Sequence, residues 1–515
     1  MLKKIPILFI LTIVLFYFSF PPFPTGFLSY LVLIPFFLLL ELNEFRGGFR
    51  IGYLLGLFTT GVFLSWLNMN SGATQIQATG MYLGSIIYLA CWWGIFAVVQ
   101  NFFCRRFGLT GFWAAPFLWT ALDFLQSFSD LRFTLHSLAT TQTYYTPLIQ
   151  FIEYTGMFGI TFWMVVINVL LFFIYKRTAT ANETIPKLKY LVTVAGIVFL
   201  IPAIHGLWTL KNSAEDDARV VRCAVVQPNI EPNQKWLEKD FAFSKMMAQM
   251  QTVREHKVDM ILWPETAIPN RLRYDRRRFE ALHEELKHQW APLVTGMPDR
   301  TLIDDEHGRT ISRSRNAIFL LRPDTSSIQF YYKMQLVLFG EYVPEYLSFI
   351  QNIAMDVGDF GYLPGDEHTI FKLPLYNTEK VQTDSIAFAG VICLESIFPD
   401  FVRQFIIRGA RFLIVVTNDA WYDGTFEPIQ HAQCAVLRAI ENRISVARAA
   451  NSGVSSIIDP YGRVRQQTQN GTDDVLFGEL RIIDRPTFFT RYGNWFGWTM
   501  IVVVLGVVVA ARLRH

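Results

Sequence analysis

Apolar stretches at residues 5–20, 24–41, 51–67, 82–103, 110–126, 159–175, 189–208 and 494–511 constrain this chain more than any other feature. A helix needs roughly 20 apolar residues to cross a bilayer, so each stretch is a candidate span, several of them near the short limit. Pro21, Pro22 and Pro24 interrupt the run between the first two stretches, which favours two helices over one. Charge follows the same division. Only 17% of the 515 residues are charged, against about 25% in ordinary soluble chains, and the deficit lies before residue 210 and after residue 490. The interval 217–488 has the charge density of a globular domain and, at about 270 residues, is long enough for one large core. The expected organisation is therefore a helical membrane domain over 1–210, a globular domain over 217–488 and a last membrane helix over 494–511.

The connecting loops orient this arrangement. With eight spans and a cytoplasmic amino terminus, the inner loops carry Lys3, Lys4, Arg46, Arg50, Arg105, Arg106, Lys176, Arg177, Lys187, Lys189, Arg512 and Arg514, whereas the short outer loops carry Arg132 alone. That asymmetry satisfies the positive-inside rule and puts the globular domain, between spans seven and eight, on the non-cytoplasmic face. A net charge of +3 is too small to suggest a nucleic-acid partner. Five cysteines (Cys91, Cys104, Cys223, Cys393 and Cys434), odd in number and irregularly spaced, form neither a disulfide framework nor a zinc motif.

Within the globular domain, short runs rich in Val, Ile, Leu and Phe read as strands over Val220–Gln227, Met260–Trp263, Leu293–Gly296, Ala317–Leu321, Ile386–Ile392, Phe412–Thr417 and Ser455–Ile458. Helical patterns fall between them at Leu237–His256, Arg276–His288, Phe398–Arg408 and Pro428–Asn442. Alternating strands and helices imply an α/β fold. The near-continuous apolar character of several strands implies burial on both sheet faces.

Three of these runs end in a reactive group. Trp263-Pro264-Glu265 delivers a carboxylate, Phe330-Tyr331-Tyr332-Lys333 an ammonium, and the run from Ile386 to Cys393 a thiol at a sharp turn. A helix beginning near Phe398-Pro399-Asp400 would favour thiolate through its dipole. A base, a cation and a nucleophile at three strand ends are what acyl transfer through a thioester requires. Each residue alone has a plain alternative: a helix-capping carboxylate, a solvated edge lysine, a small core cysteine. Cys223 in a strand and Cys434 in a helix fit the last description. Glu341, after Gly340, reads as a second carboxylate of the site or as a turn residue. Asn418 and Trp421 follow the strand ending at Thr417, on the carboxyl side of the sheet where α/β folds bind ligands, with helix capping by Asn418 or Asp419 as the alternative.

Taken together, Glu, Lys and Cys in that order, each after a strand of one α/β domain, resemble the nitrilase superfamily. Combined with the membrane helices the chain is similar, over essentially its whole length, to the bacterial apolipoprotein N-acyltransferases. The segments carrying the resemblance are Val226-Gln227-Pro228-Asn229-Ile230 with Lys235-Trp236, Trp263-Pro264-Glu265-Thr266-Ala267, Tyr332-Lys333 leading to Phe339-Gly340-Glu341-Tyr342-Val343-Pro344, Ile392-Cys393-x-Glu395, Thr417-Asn418-Asp419-Ala420-Trp421, and Asn451-Ser452-Gly453-Val454 through Asp459-Pro460-x-Gly462. The chain departs from the family at Leu394, commonly tyrosine, at Leu338, often proline, and in Tyr422–Glu427, usually a glycine-rich turn.

The resemblance implies an αββα sandwich with a Glu265–Lys333–Cys393 triad and Glu341, Glu395, Trp236, Asn418 and Trp421 in support, Trp236 as a lining of the acyl pocket. It implies a multi-pass protein of the bacterial inner membrane with its catalytic domain on the periplasmic face. It also implies two-step exchange of an acyl chain from a phospholipid, through a Cys393 thioester, to the amino group of a diacylglyceryl-modified apolipoprotein, with no metal or organic cofactor. Leu336–Tyr362, aromatic and containing three glycines, reads as a mobile lid or as a long structural connection. A membrane-tethered amidase acting on small amides is the alternative with the same triad.

Overall fold

The computed structural model describes residues 4–180, 185–213, 218–304, 308–344 and 361–513. The chain divides into two compact units, one of Met1–Met69, Ala78–Ser213 and Tyr492–His515, the other of Asn70–Gln77 and Ala214–Arg491.

The first unit is helical. Its principal helices are α1 (Lys4–Ser19), α2 (Ile34–Leu42), α3 (Gly48–Phe63), α4 (Gln75–Phe107), α5 (Ala115–Leu125), α6 (Phe158–Thr180) and α7 (Leu188–Lys211). Helical segments over Gln75–Leu125, Phe158–Ala179, Leu188–Lys211 and Trp495–Leu513 are long and apolar enough to cross a membrane, and shorter apolar helices occupy Lys4–Ser19, Gly26–Leu42 and Gly48–Phe63. Each apolar stretch of the sequence thus falls on helix. Three are broken: a 3-10 turn, Gly26–Tyr30, precedes α2, another, Ser65–Met69, follows α3, and a third, Gly108–Ala114, precedes α5.

Packing inside this unit follows side-chain size. On α3, Gly48, Gly52 and Gly56 face α4 so closely that a Cβ on Gly52 would lie 2.3 Å from the Trp93 carbonyl oxygen, the small-residue spacing that lets apolar helices touch. Several buried polar groups are bonded internally. Asp123 accepts from the Ser137 and Thr161 hydroxyls, each at 2.6 Å, and Asn168 joins the Leu33 amide to the Ser29 carbonyl, at 2.9 Å to each. Conversely α7 leaves Val192, Ile197, Leu200, Ile201, Ile204 and Leu207 exposed, an apolar surface suited to hydrocarbon rather than water.

The second unit is built on two six-stranded mixed sheets. Its strands are β1 (Arg219–Gln227), β2 (Met260–Trp263), β3 (Leu293–Asp304), β4 (Thr310–Arg322), β5 (Thr325–Tyr332), β6 (Phe371–Tyr376), β7 (Gln382–Ile392), β8 (Phe412–Thr417), β9 (Ser445–Ala450), β10 (Ser456–Ile458), β11 (Val464–Gln467) and β12 (Asp474–Ile482). One sheet runs β12-β1-β2-β3-β4-β5, the other β11-β10-β9-β8-β7-β6. Each has a parallel centre, β1-β2-β3 and β7-β8-β9, flanked by antiparallel strands. β1 packs against β9 and β4 against β7, so the sheets face each other.

Helices cover the outer faces. On the first sheet lie α8 (Pro232–Leu237), α9 (Lys239–Thr252) and α10 (Arg276–Gln289). Met246 and Met250 of α9 and Leu282 and Leu286 of α10 form one core with Ala224, Val226, Ile261, Trp263, Leu293 and Phe319. On the second lie α11 (Pro399–Ile407) and α12 (Glu427–Asn442). The result is an αββα sandwich. The sequence reading lacked β6, β9, β11 and β12, and gave β3 and β4 only their apolar halves; the polar ends of that hairpin pair through Asp304 and Thr310.

Candidate active site

The parallel centre of each sheet sends its strand ends to one place. β2 ends at Trp263, and Pro264, which has no amide hydrogen, ends the ladder so that Glu265 turns inward. Close packing there is strict. A Cβ on Gly296 would sit 2.5 Å from the Glu265 Cα, so only glycine lets β3 pass. β5 ends at Tyr332, and Lys333 N donates to the Asn316 carbonyl at 2.8 Å. β7 ends at Ile392, and Cys393 takes a left-handed conformation, φ 53°, unusual outside glycine. Such strain persists only where the surroundings over-determine it, and it lifts the sulfur out of the strand.

Glu265, Lys333 and Glu341 meet. Lys333 Nζ lies 3.7 Å from Glu265 Oε1 and 2.9 Å from Glu341 Oε1, with Lys333 itself 1% exposed. Asn316 Nδ2 donates to both carboxylates, at 2.7 Å and 3.1 Å, and the Val337 amide donates to Glu341 Oε2 at 2.8 Å. Burial alone would lower the Lys333 pKa, but Glu341 and Glu265 outweigh it and hold the ammonium above its ordinary value. Burial raises Glu265, with Lys333 and Asn316 pulling it back and Glu341 adding to the rise.

Cys393 keeps part of its surface accessible, yet burial is the largest influence on the thiol and pushes it up. The Glu265 carboxylate adds to the shift, while Lys333 and the Thr417 hydroxyl oppose it. The resting group is therefore a thiol. The dipole expected to favour thiolate is displaced, because Cys393 opens a 3-10 turn, Cys393–Ile397, and the longer helix α11 begins only at Pro399. A neutral thiol beside a buried carboxylate suits proton transfer at the moment of attack.

Glu395 ties two of the strand ends together. Its Oε1 accepts from Tyr331 Oη at 2.7 Å, Met334 N at 2.7 Å and Gln335 N at 3.0 Å, and its Oε2 accepts from Ile392 N at 2.8 Å. The backbone around Lys333 is thereby pinned to the residue preceding Cys393. Burial pushes the Glu395 carboxyl up to about 7 against these donors.

The remaining predicted residues lie on the same side of the sheets. Asn418 is buried and accepts from Asn451 Nδ2 at 3.0 Å. Trp421 is half-buried; its carbonyl accepts from the Ser71 amide at 2.9 Å and its ring lies against Gly72. Trp236 is half-buried on α8. Of the candidate lid, residues 345–360 lie outside the described residues.

Behind Cys393 is a cluster the sequence reading did not assemble. His431 Nε2 lies 3.1 Å from the Cys393 carbonyl oxygen and 3.1 Å from Ser396 Oγ, and its Nδ1 lies 3.0 Å from Asp419 Oδ1. Arg448 donates to Asp419 Oδ2 at 2.6 Å, and Thr417 Oγ1 to Oδ1 at 2.7 Å. Burial works against the Asp419 charge, but Arg448 and His431 hold the carboxyl below its ordinary range. Burial and the Arg448 cation lower His431. Cys393, Asp419 and His431 have metal-ligand atoms within 4.8 Å of one another, but the Arg448 guanidinium already sits where a cation would meet Asp419. The cluster acts as a brace for the strained turn.

A family model for carbon-nitrogen hydrolases matches residues 222–484, and one for the apolipoprotein N-acyltransferase N-terminal domain matches residues 14–170. Among relatives, the apolipoprotein N-acyltransferase of Chlorobaculum tepidum is 30% identical, covering 96% of this chain and 95% of its own. That of Geobacter metallireducens is 30% identical, covering 98% and 94%. Among solved structures, an amidase from Nesterenkonia sp. is 17% identical with a TM-score of 0.35, covering 51% of this chain and 90% of its own.

Proposed function

The chain belongs to the apolipoprotein N-acyltransferase family, and from that membership and the strand-end chemistry we propose that it transfers an acyl chain from a phospholipid to the α-amine of a diacylglyceryl-modified apolipoprotein. The observation that carries this reading, rather than a small-amide hydrolase with the same triad, is the match of residues 14–170 to the N-terminal domain of the family, beside the carbon-nitrogen hydrolase match over 222–484. The helical segment 14–170 has its own counterpart in the family and has no use in hydrolysing a soluble amide.

In the proposed reaction Glu265 takes the proton from Cys393 Sγ as sulfur attacks the ester carbonyl. Lys333 faces the developing oxyanion, together with a backbone N–H near Leu394, a contribution of about 3–4 kcal/mol per donor. The tetrahedral intermediate expels the glycerol oxygen, which receives the proton from Glu265, leaving lysophospholipid and an acyl thioester. The acceptor amine then attacks the thioester carbon. Glu265 takes a proton from nitrogen and returns it to the departing Cys393 sulfur, releasing the amide. Glu341 holds Lys333, Glu395 fixes the strand ends, Trp236 lines the acyl pocket, and Asn418 and Trp421 shape the wall beyond β8.

Both substrates carry lipid, and drawing an acyl chain into water costs about 0.8 kcal/mol per CH₂. Anchoring the catalytic domain between membrane helices removes that cost. The reading accordingly includes a membrane domain over 1–210, a catalytic domain over 217–488 and a last helix over 494–511. It further includes eight spans and a periplasmic catalytic domain in the inner membrane of a bacterium, supported by the distribution of Lys and Arg.

The test is reconstitution of the full chain in vesicles of acyl-labelled phospholipid with a diacylglyceryl lipopeptide bearing a free amino terminus. The proposal expects N-acyl lipopeptide and lysophospholipid in equal amounts, and neither from C393A. Ammonia released from small amides, with no labelled lipopeptide, would replace it with the amidase.

A further inference from the structure

Glu265 has a second ammonium for a neighbour. Lys235, on α8, is 0% exposed. Among the described residues its Nζ donates one hydrogen bond, to Thr266 Oγ1 at 3.3 Å. An ammonium carries three donors, and burying one with a single neutral partner is costly unless a counter-charge compensates it. The acid that acts on Lys235 is Glu265, and Lys235 in turn opposes the rise that burial imposes on Glu265.

The placement is specific. Thr266, which Lys235 holds, follows Glu265 directly and is itself left-handed, φ 46°, a strained setting for a β-branched residue. Facing Glu265 are Lys333 after β5, Glu341 beyond it, Asn316 on β4, Cys393 after β7 and Lys235 on α8. With every group ionised except the thiol, two ammoniums balance two carboxylates. Without Lys235 the pocket carries an excess negative charge, and the carboxylate with least claim on Lys333, at 3.7 Å against 2.9 Å for Glu341, is Glu265.

We propose that Lys235 is a positioning residue for acyl transfer: its ammonium keeps Glu265 ionised and its bond to Thr266 fixes the backbone from which Glu265 reaches Cys393. The inference rests on the assignment of Glu265 as the base. Burial draws Lys235 down to about 8, with Glu265 pulling it up, so the charge is present across the acidic range in which Glu265 would otherwise take up a proton.

The experiment follows the rate of acyl-enzyme formation on the full chain in detergent–phospholipid micelles from pH 5 to 9, for wild type, K235M and K235Q. The volume-matched methionine removes charge and donor; the glutamine keeps a donor for Thr266. Both variants should move the acidic limb of the profile to higher pH, with most of the lost rate below it. Thermal stability should change little, because Glu265 relieves the excess negative charge by taking up a proton when Lys235 is removed. Limbs that superimpose on wild type overturn the proposal. So does a uniform loss of rate at all pH values accompanied by a lowered melting temperature, which marks a structural lysine. E265Q, run alongside, separates this from failure of the parent reading: wild-type rates in E265Q would remove the base itself.

Discussion

Replacing Glu395 by alanine should damage both fold and chemistry. The side chain accepts four hydrogen bonds, at 2.7, 2.7, 3.0 and 2.8 Å, from Tyr331, Met334, Gln335 and Ile392, and is fully buried. Each donor left without an acceptor costs about 1–3 kcal/mol. A water entering the vacated space recovers part of this, which puts the total near 4 kcal/mol. For a domain of this size, about 2–4 °C per kcal/mol converts that into a fall in melting temperature of roughly 8–16 °C. Lys333 lies between two of the tethered residues and Cys393 next to the fourth, so the triad should also lose registration. A displacement near 1 Å is worth about a hundredfold in rate. Glutamine should be milder, near 1–2 kcal/mol, because its amide oxygen can keep the three bonds now made to Oε1, and burial, which raises the carboxyl to about 7, already leaves it only partly ionised at pH 7. The assays are thermal unfolding in detergent and the time course of acyl-enzyme formation. An E395A protein melting within about 2 °C of wild type and acylating at the same rate would refute the tethering argument.

Gly296→Ala should cut acyl-enzyme formation by about a hundredfold, since its Cβ would meet the Glu265 Cα at 2.5 Å and backbone cannot yield as a side chain can; an unchanged single-turnover rate contradicts this. Asn316→Leu removes the donor shared by Glu265 and Glu341, which favours the protonated acid, so the acidic limb of the rate profile should move to higher pH. Asp419→Asn leaves Arg448 buried without its counter-ion, a loss of about 3–5 kcal/mol. Because Asp419 is held below its ordinary value of 3.8, its contribution is complete above that pH and disappears as pH falls below it. Denaturant curves of wild type and variant should therefore differ near neutrality and converge in acid.

Much of the site is legible in the sequence because three groups sit at the ends of apolar runs. A residue that terminates a buried strand can be assigned to the strand end without knowing the sheet order, and Glu265, Lys333 and Cys393 are all of this kind. Asn316 is not. It lies within β4, at the boundary between apolar and polar halves, and only pairing of β4 with β3 and β5 brings its amide between two carboxylates. Arg448 is harder still: Ser445–Ala450 has the composition of a helix continuation, yet it is a central strand with a fully buried arginine, stabilised by Asp419 from the turn that follows the neighbouring strand β8. His431 reads as one polar residue of an amphipathic helix, whereas almost all of α12 from Glu427 to Asn442 is enclosed. The edge strand β11 carries little hydrophobic signal because all four of its residues are exposed, and β12 is only partly covered along most of its length. Cys223 and Cys434 are fully enclosed small core residues, consistent with their flanks, which lack any turn like that at Cys393.

The central claim is that Cys393 carries the acyl group. Intact-mass measurement of the purified chain after mixing with phospholipid alone addresses it directly, with C393A in parallel. The account predicts an increment of one acyl chain on the wild type, mapping to the peptide containing Cys393, absent from C393A and discharged when a lipopeptide with a free α-amine is added. An adduct that survives in C393A, or acyl transfer to the lipopeptide at full rate without any adduct on Cys393, would contradict it.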